Sequence, residues 1–185
     1  MIKYLIIDLD GTLVFSNEAN FKAYEMAFHT FGIPLQRKQF ESLMGMGFED
    51  MLKSVAPDLN ASDQLLLKER KASFYKQELH LIKKNEPLIQ FLNSLKNHHS
   101  ISIVTSASKK NALSVLEYFQ LKDWFDVMIF GDDVKHHKPN PEGYFLCLDK
   151  LNAKSDECLA FEDSSIGIEA AKQAGLQVLK IPCFL

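Results

Sequence analysis

Five short apolar runs punctuate the chain, and four of them end in acidic or hydroxyl-bearing residues. Tyr4 to Leu9 runs into Asp10-Gly11 and already carries Asp8. Ile101 to Thr105 is followed by Ser106, Phe125 to Phe130 by Gly131-Asp132-Asp133, and Cys158 to Phe161 by Glu162-Asp163. The fifth run, Gln177 to Ile181, stops at Pro182. Runs of this length bounded by turn residues read as strands buried on both faces. Between them, apolar residues recur at helical spacing over Pro87 to Lys96, Asn111 to Phe119, Pro141 to Leu151 and Ser164 to Ala174, the last with Gly175 placed as a C-cap. Strands alternating with helices of this size predict an α/β fold, a doubly wound parallel sheet of Rossmann-like type.

The alternation breaks between Ser16 and Asn85. Asn17 to Phe31, Gln36 to Met44, Glu49 to Val55 and Ser62 to Ile82 all read as helices, with turns near Gly32-Ile33-Pro34, Gly45-Met46-Gly47 and Pro57 to Asn60. The expected organisation is therefore an α/β core from residues 1–15 and 86–185, with 16–85 as an inserted α-helical cap. Composition narrows the partners. A net charge of −3 over 185 residues gives no general attraction to nucleic acid or to an anionic membrane. An anionic ligand would have to be held by a few placed cations or a metal. The run Lys3 to Ile7 is too short for a signal peptide, and no apolar run reaches membrane-spanning length. Cys147, Cys158 and Cys183 lack the spacing of a disulfide framework or a zinc site. A cytoplasmic protein, monomer or weak homodimer, is expected.

Open α/β sheets bind ligands at the C-terminal edge of their strands. Asp8, Asp10, Thr105, Ser106, Glu162 and Asp163 all fall at predicted strand ends, and Lys138 lies in the loop after the third run. Clustered carboxylates repel one another unless a cation neutralises them, and an all-oxygen donor set suits Mg2+. A carboxylate beside such an ion can attack phosphorus, while a lysine and a hydroxyl screen the phosphoryl oxygens. A second carboxylate can move the proton.

Four strings carry a resemblance. Ile6 to Leu13 (IIDLDGTL), Ile103 to Ser108 (IVTSAS), Lys138-Pro139-Asn140-Pro141 and Phe161 to Gly167 (FEDSSIG) resemble, in order, the signatures of the haloacid dehalogenase-like hydrolase superfamily. The segment 16–85 is similar to the small helical cap of its phosphatase and phosphoglucomutase-like members. The resemblance implies a Mg2+-dependent phosphatase acting on a small phosphorylated metabolite. Asp8 would form an aspartyl-phosphate, and Asp10 would act as general acid and then general base. Ser106 and the backbone near Ala107 would bind the phosphoryl oxygens, with Lys138 bridging nucleophile and phosphate. Asp8, the Asp10 carbonyl and Asp163 would hold the metal, with Glu162 in the same role or beside it. An acid at Asp10 resembles the phosphatase and mutase branches rather than the dehalogenases, whose halide needs no proton.

Other features are weighed against plainer readings. Related sugar-phosphate mutases carry a histidine where this chain has Asn20 and an arginine where it has Phe48, which argues against the alternative of a sugar phosphomutase. A non-catalytic phosphate-binding or regulatory module would be expected to lose the set that is intact here. Asn20, Phe48 and Lys76 are candidate substrate contacts in the cap, although the amphipathic pattern around Lys76 and Lys53 reads them as solvated. His98, His99, His136 and His137 read as solvated loop histidines, and Asp132-Asp133 as turn residues. Thr105 competes with Ser106 for the phosphate, and Ser106 is favoured.

Overall fold

The structure, a computed structural model, describes residues 1–43 and 48–182. The expected helix end at Met44, the turn Gly45-Met46-Gly47 and Cys183 lie outside the described residues. In chain order the elements begin β1 (Tyr4–Ile7), β2 (Val14–Phe15), α1 (Asn17–His29), α2 (Arg37–Ser42), α3 (Phe48–Val55) and α4 (Ala61–Gln77). Then come β3 (Lys83–Lys84), α5 (Glu86–Leu95), β4 (Ser100–Val104), α6 (Lys109–Tyr118), β5 (Val127–Ile129), α7 (Glu142–Leu151), β6 (Cys158–Glu162), α8 (Ser165–Gln173) and β7 (Gln177–Lys180).

The five long-range strands form one parallel sheet in the order β5-β4-β1-β6-β7. Strand β1 sits in the middle, with Ile7 level with Ile103 of β4 and Phe161 of β6. Its Ile6 and Ile7 are fully buried, which is why the first run is apolar on both faces. One face packs Ile6, Val104, Ile129 and Ala160 against Tyr144 and Cys147 of α7 and the alanines Ala170 and Ala171 of α8. The chain winds from β1 through β4 to β5, then returns to β6 on the other side of β1. That reversal leaves a crevice at the C-terminal ends of β1, β4 and β6.

Contact density divides the chain into Met1–Phe15 with Lys83–Leu185, and Ser16–Ile82. The division falls at Ile82 rather than Asn85 because Lys83-Lys84 pairs antiparallel with Val14-Phe15. That two-residue ribbon is too short to leave a periodic trace in the sequence. The helical unit buries Phe21, Tyr24, Phe28, Phe40 and Leu67 among others. Its last helix is capped by Asn60, whose side chain accepts from Asp63 N–H. That helix ends at Gln77 and gives way to a single 3-10 turn over Leu79–Leu81, so the expected helix to Ile82 is shorter. Strand β1 likewise stops at Ile7, because the Leu9 carbonyl accepts from Leu13 and Val14 N–H and turns the chain. Strand β5 covers only Val127–Ile129; the Asp126 carboxylate before it accepts from Ser100 Oγ and Ile101 N–H. Among the described residues, no helix is long and apolar enough to cross a membrane.

Candidate active site

The site begins where β1 ends. Asp8 N–H still donates to the Phe161 carbonyl at 3.0 Å, so the sheet fixes the backbone that carries the carboxylate. The next residues turn sharply: Gly11 has φ of 90° and its N–H donates to Val14 O at 2.7 Å. A Cβ on Gly11 would lie 2.1 Å from Asp163 Oδ2. Glycine is therefore required twice here, for the left-handed conformation and for the approach of an acid from β6. Thr12, fully buried, donates its hydroxyl to Asp163 Oδ1 at 3.1 Å. Asp10 is half-buried and forms an isolated bridge with Val14.

Lys138 enters from the loop before α7, preceding a cis peptide bond to Pro139. Its Nζ donates to Asp8 Oδ1 at 2.6 Å, to Glu162 Oε1 at 2.5 Å and to the Val104 carbonyl at 2.9 Å. Three acceptors use all three ammonium protons. Glu162 Oε1 also accepts from the Tyr144 hydroxyl. Oxygens of Asp8, Glu162 and Asp163 lie within 4.8 Å of one another.

The charges do not balance. Burial would push the Lys138 ammonium down, but Asp8 and Glu162 beside it reverse this, and it stays charged with its pKa above the usual lysine value. One ammonium cannot compensate three carboxylates. Burial, together with repulsion from Asp8, raises Glu162 to about 7, against the pull of Lys138 and Tyr144. Asp163 is raised by the same two causes, with Thr12 opposing them. A compact all-oxygen group with excess negative charge fits a hard divalent cation.

The phosphate-side loop follows β4. Ser106 is exposed at the strand end. Ala107 N–H, expected to face an anion, donates instead to Thr105 Oγ1 at 3.0 Å, which occupies that hydroxyl within the loop. Asp132 and Asp133 serve as turn caps, accepting from Lys109 and Phe130 N–H. His136 and His137 are exposed beside Ser106 and Lys138.

Over residues 5–181 the sequence matches the family described as haloacid dehalogenase-like hydrolase. The chain belongs to that family. The hydrolase is 32% identical over 176 residues to the phosphorylated carbohydrates phosphatase of Thermotoga maritima, covering 94% of this chain and 82% of the relative. It is 26% identical to the fructose-1-phosphate phosphatase YqaB of Escherichia coli, over 96% of this chain and 95% of that one. Among solved structures, CbbY from Rhodobacter sphaeroides in complex with phosphate shares the fold, with a TM-score of 0.91 at 24% identity over 100% of this chain and 88% of that one. The β-phosphoglucomutase of Clostridium difficile reaches a TM-score of 0.85 at 25% identity, over 97% and 84% of the two chains.

The helical unit of the hydrolase holds the remaining candidates. Asn20 on α1 is half-buried; its Nδ2 donates to Ser16 Oγ and its Oδ1 accepts from Lys71 Nζ at 2.9 Å. Phe48 stacks on Tyr24, with ring centroids 6.4 Å apart. Lys76 and Lys53 are exposed. Two residues escaped the sequence reading. Lys71 is buried, its Nζ 4.7 Å from the Tyr24 ring centroid and 4.6 Å from that of Tyr75. It looked like any lysine on a long polar helix, and only its spacing of four from Tyr75 hinted at an aromatic partner. Tyr144 falls in the helical apolar pattern of Pro141 to Leu151, which carries no sign of what its hydroxyl meets.

Proposed function

We propose that this hydrolase is a Mg2+-dependent phosphatase that cleaves a small organic phosphate monoester, a phosphorylated sugar first of all, through an aspartyl-phosphate on Asp8. The observation that carries the reading is Lys138 bonded to Asp8 at the centre of a carboxylate cluster with excess negative charge. The names of the two phosphatase relatives support the sugar phosphate.

In the first half-reaction a carboxylate oxygen of Asp8 bonds to phosphorus and the bond to the leaving oxygen breaks. Asp10, protonated, gives its proton to that oxygen, and the alcohol departs. In the second half, Asp10 takes a proton from water, the water oxygen bonds to phosphorus, and the bond to Asp8 breaks. Orthophosphate leaves and both aspartates return to their starting states. Lys138 fixes the rotation of the Asp8 carboxylate and offers positive charge to the phosphoryl oxygens, with Ser106 as a hydroxyl donor. Magnesium, held by Asp8, Asp163 and the Asp10 carbonyl, would neutralise phosphoryl charge. With Oε1 shared between Lys138 and Tyr144, Glu162 serves better as the residue that orients Lys138 than as a direct ligand. The unit Ser16–Ile82 would act as the cap that selects the leaving group. A cytoplasmic monomer or weak homodimer fits this reading.

The test is phosphate release from an aryl phosphate and a sugar-phosphate panel, with and without magnesium, in wild type and Asp8→Asn. Loss of about a thousandfold or more in Asp8→Asn is expected. Equal activity in the two proteins removes Asp8 as nucleophile. Isomerisation of a sugar 1-phosphate that requires a bisphosphate activator would replace the phosphatase by a mutase.

A further inference from the structure

We propose that Tyr144 is a positioning residue for this reaction, acting through Glu162 to keep the Lys138 ammonium on Asp8. The inference rests on the reading of Asp8 as the phosphoryl acceptor.

Tyr144 is fully buried, and its hydroxyl donates to Glu162 Oε1, the same oxygen that accepts from Lys138 Nζ. Apart from Lys138 Nζ, 5.4 Å from its centroid, the ring packs on apolar neighbours: Ile6, Val104, Ile129, Cys147 and Ala160 belong to the same cluster. A phenylalanine would fill that space equally well, so packing does not call for the hydroxyl. A buried phenol needs an acceptor, and this one is aimed at the most deeply buried carboxylate of the site.

Glu162 is confined on its other side as well. Ser164 Oγ lies 3.5 Å from Oε2, and a Cβ on Gly167 would come within 2.0 Å of it. The carboxylate thus fills the place of a missing side chain at the start of α8. Held there, Glu162 shares one oxygen between two donors. The Tyr144 hydroxyl takes part of the Glu162 charge, which leaves Lys138 divided between Glu162 and Asp8. Without that donor, Glu162 draws Lys138 toward itself, and the ammonium is less available to Asp8 and to an incoming phosphoryl group. Lys138 and Tyr144 lie six residues apart on one loop-and-helix segment, so one element supplies both donors to Glu162.

The experiment is a double-mutant cycle on the full chain, read as kcat/KM for aryl phosphate with saturating magnesium. Tyr144→Phe should lower kcat/KM about tenfold, the size expected for one hydrogen bond to a charged acceptor, with the thermal midpoint within a few degrees of wild type. In a Glu162→Gln background the same substitution should cost less than about twofold, because the neutral amide carries no charge to draw Lys138 away from Asp8. If Glu162→Gln does not fold, Lys138→Ala is the second background, read as inorganic-phosphate affinity, and there too the Tyr144→Phe cost should vanish. Activity of Tyr144→Phe within twofold of wild type overturns the proposal, as does an equal cost in both backgrounds or a loss of stability with kcat/KM unchanged. Asp8→Asn separates the two ideas. If it stays active, the nucleophile is wrong. If it is inactive while Tyr144→Phe is fully active, only the role of Tyr144 falls.

Discussion

The two units bury different things. The α/β unit places Asp8, Thr12, Thr105 and Glu162 out of solvent at strand ends, each tied to the fold by named hydrogen bonds. The helical unit buries mainly aromatic and aliphatic side chains, with Lys71 as its buried cation among the described residues. Buried carboxylates repel one another and cost desolvation, so the first unit gives up stability for chemistry. The second keeps its packing energy. Substitutions in the helical unit should therefore move stability first, whereas those at the strand ends should move activity first.

The largest expected effect lies in the helical unit. Phe28 is fully buried, and Phe28→Ala should cost about 3–5 kcal/mol of stability, read by denaturant unfolding. A cost below 1 kcal/mol would mean that the unit is loosely packed and that the contrast fails. Next is Gly11→Ala in the α/β unit. Its Cβ would take the place of Asp163 Oδ2, so kcat/KM should fall about a hundredfold, near 2.7 kcal/mol of barrier, with weaker magnesium dependence. Unchanged kinetics would show that Asp163 is not needed where it stands.

The third prediction concerns pH and the cation. Glu162 and Asp163 have folded pKa values above their usual ones, Glu162 at about 7. The folded state therefore holds more protons than the unfolded state between about pH 4.5 and 7, and stability falls as pH rises through that window. Lys138, raised as well, acts only above the ordinary lysine range. Thermal unfolding of the chelator-treated protein should lose about 2 kcal/mol between pH 5 and 8. Saturating magnesium should cancel most of the fall, since the ion binds the ionised folded state. Identical pH profiles with and without magnesium would break the assignment of a cation to this cluster. The smallest effect returns to the helical unit. Asn60→Ala removes the N-cap of α4 and should cost about 1 kcal/mol, with kcat/KM within threefold. A larger kinetic loss would couple that unit to the chemistry more tightly than the comparison allows.

Much of this was legible before the structure. Buried parallel strands must be apolar on both faces, so Tyr4–Ile7 and Cys158–Glu162 stood out as runs, and the acids after them marked the sheet edge. The ribbon of Val14-Phe15 with Lys83-Lys84 was not legible, since two residues carry no period. Nor was the engagement of Ala107 N–H by Thr105, a choice made by the local turn. Lys71 and Tyr144 were hidden for a related reason: a side chain's environment depends on residues distant in sequence.

By itself the sequence determined the fold class and the family and singled out Asp8, Asp10, Ser106, Lys138, Glu162 and Asp163 as candidates, because periodicity and local motifs are properties of neighbouring residues. Only the tertiary structure decided how those residues are wired. It set Lys138 between Asp8 and Glu162, Asp163 into the space above Gly11, and the Tyr144 hydroxyl onto Glu162. Hydrogen bonds such as these join residues 18 to 130 positions apart, and the sheet order and helix packing bring their partners within reach.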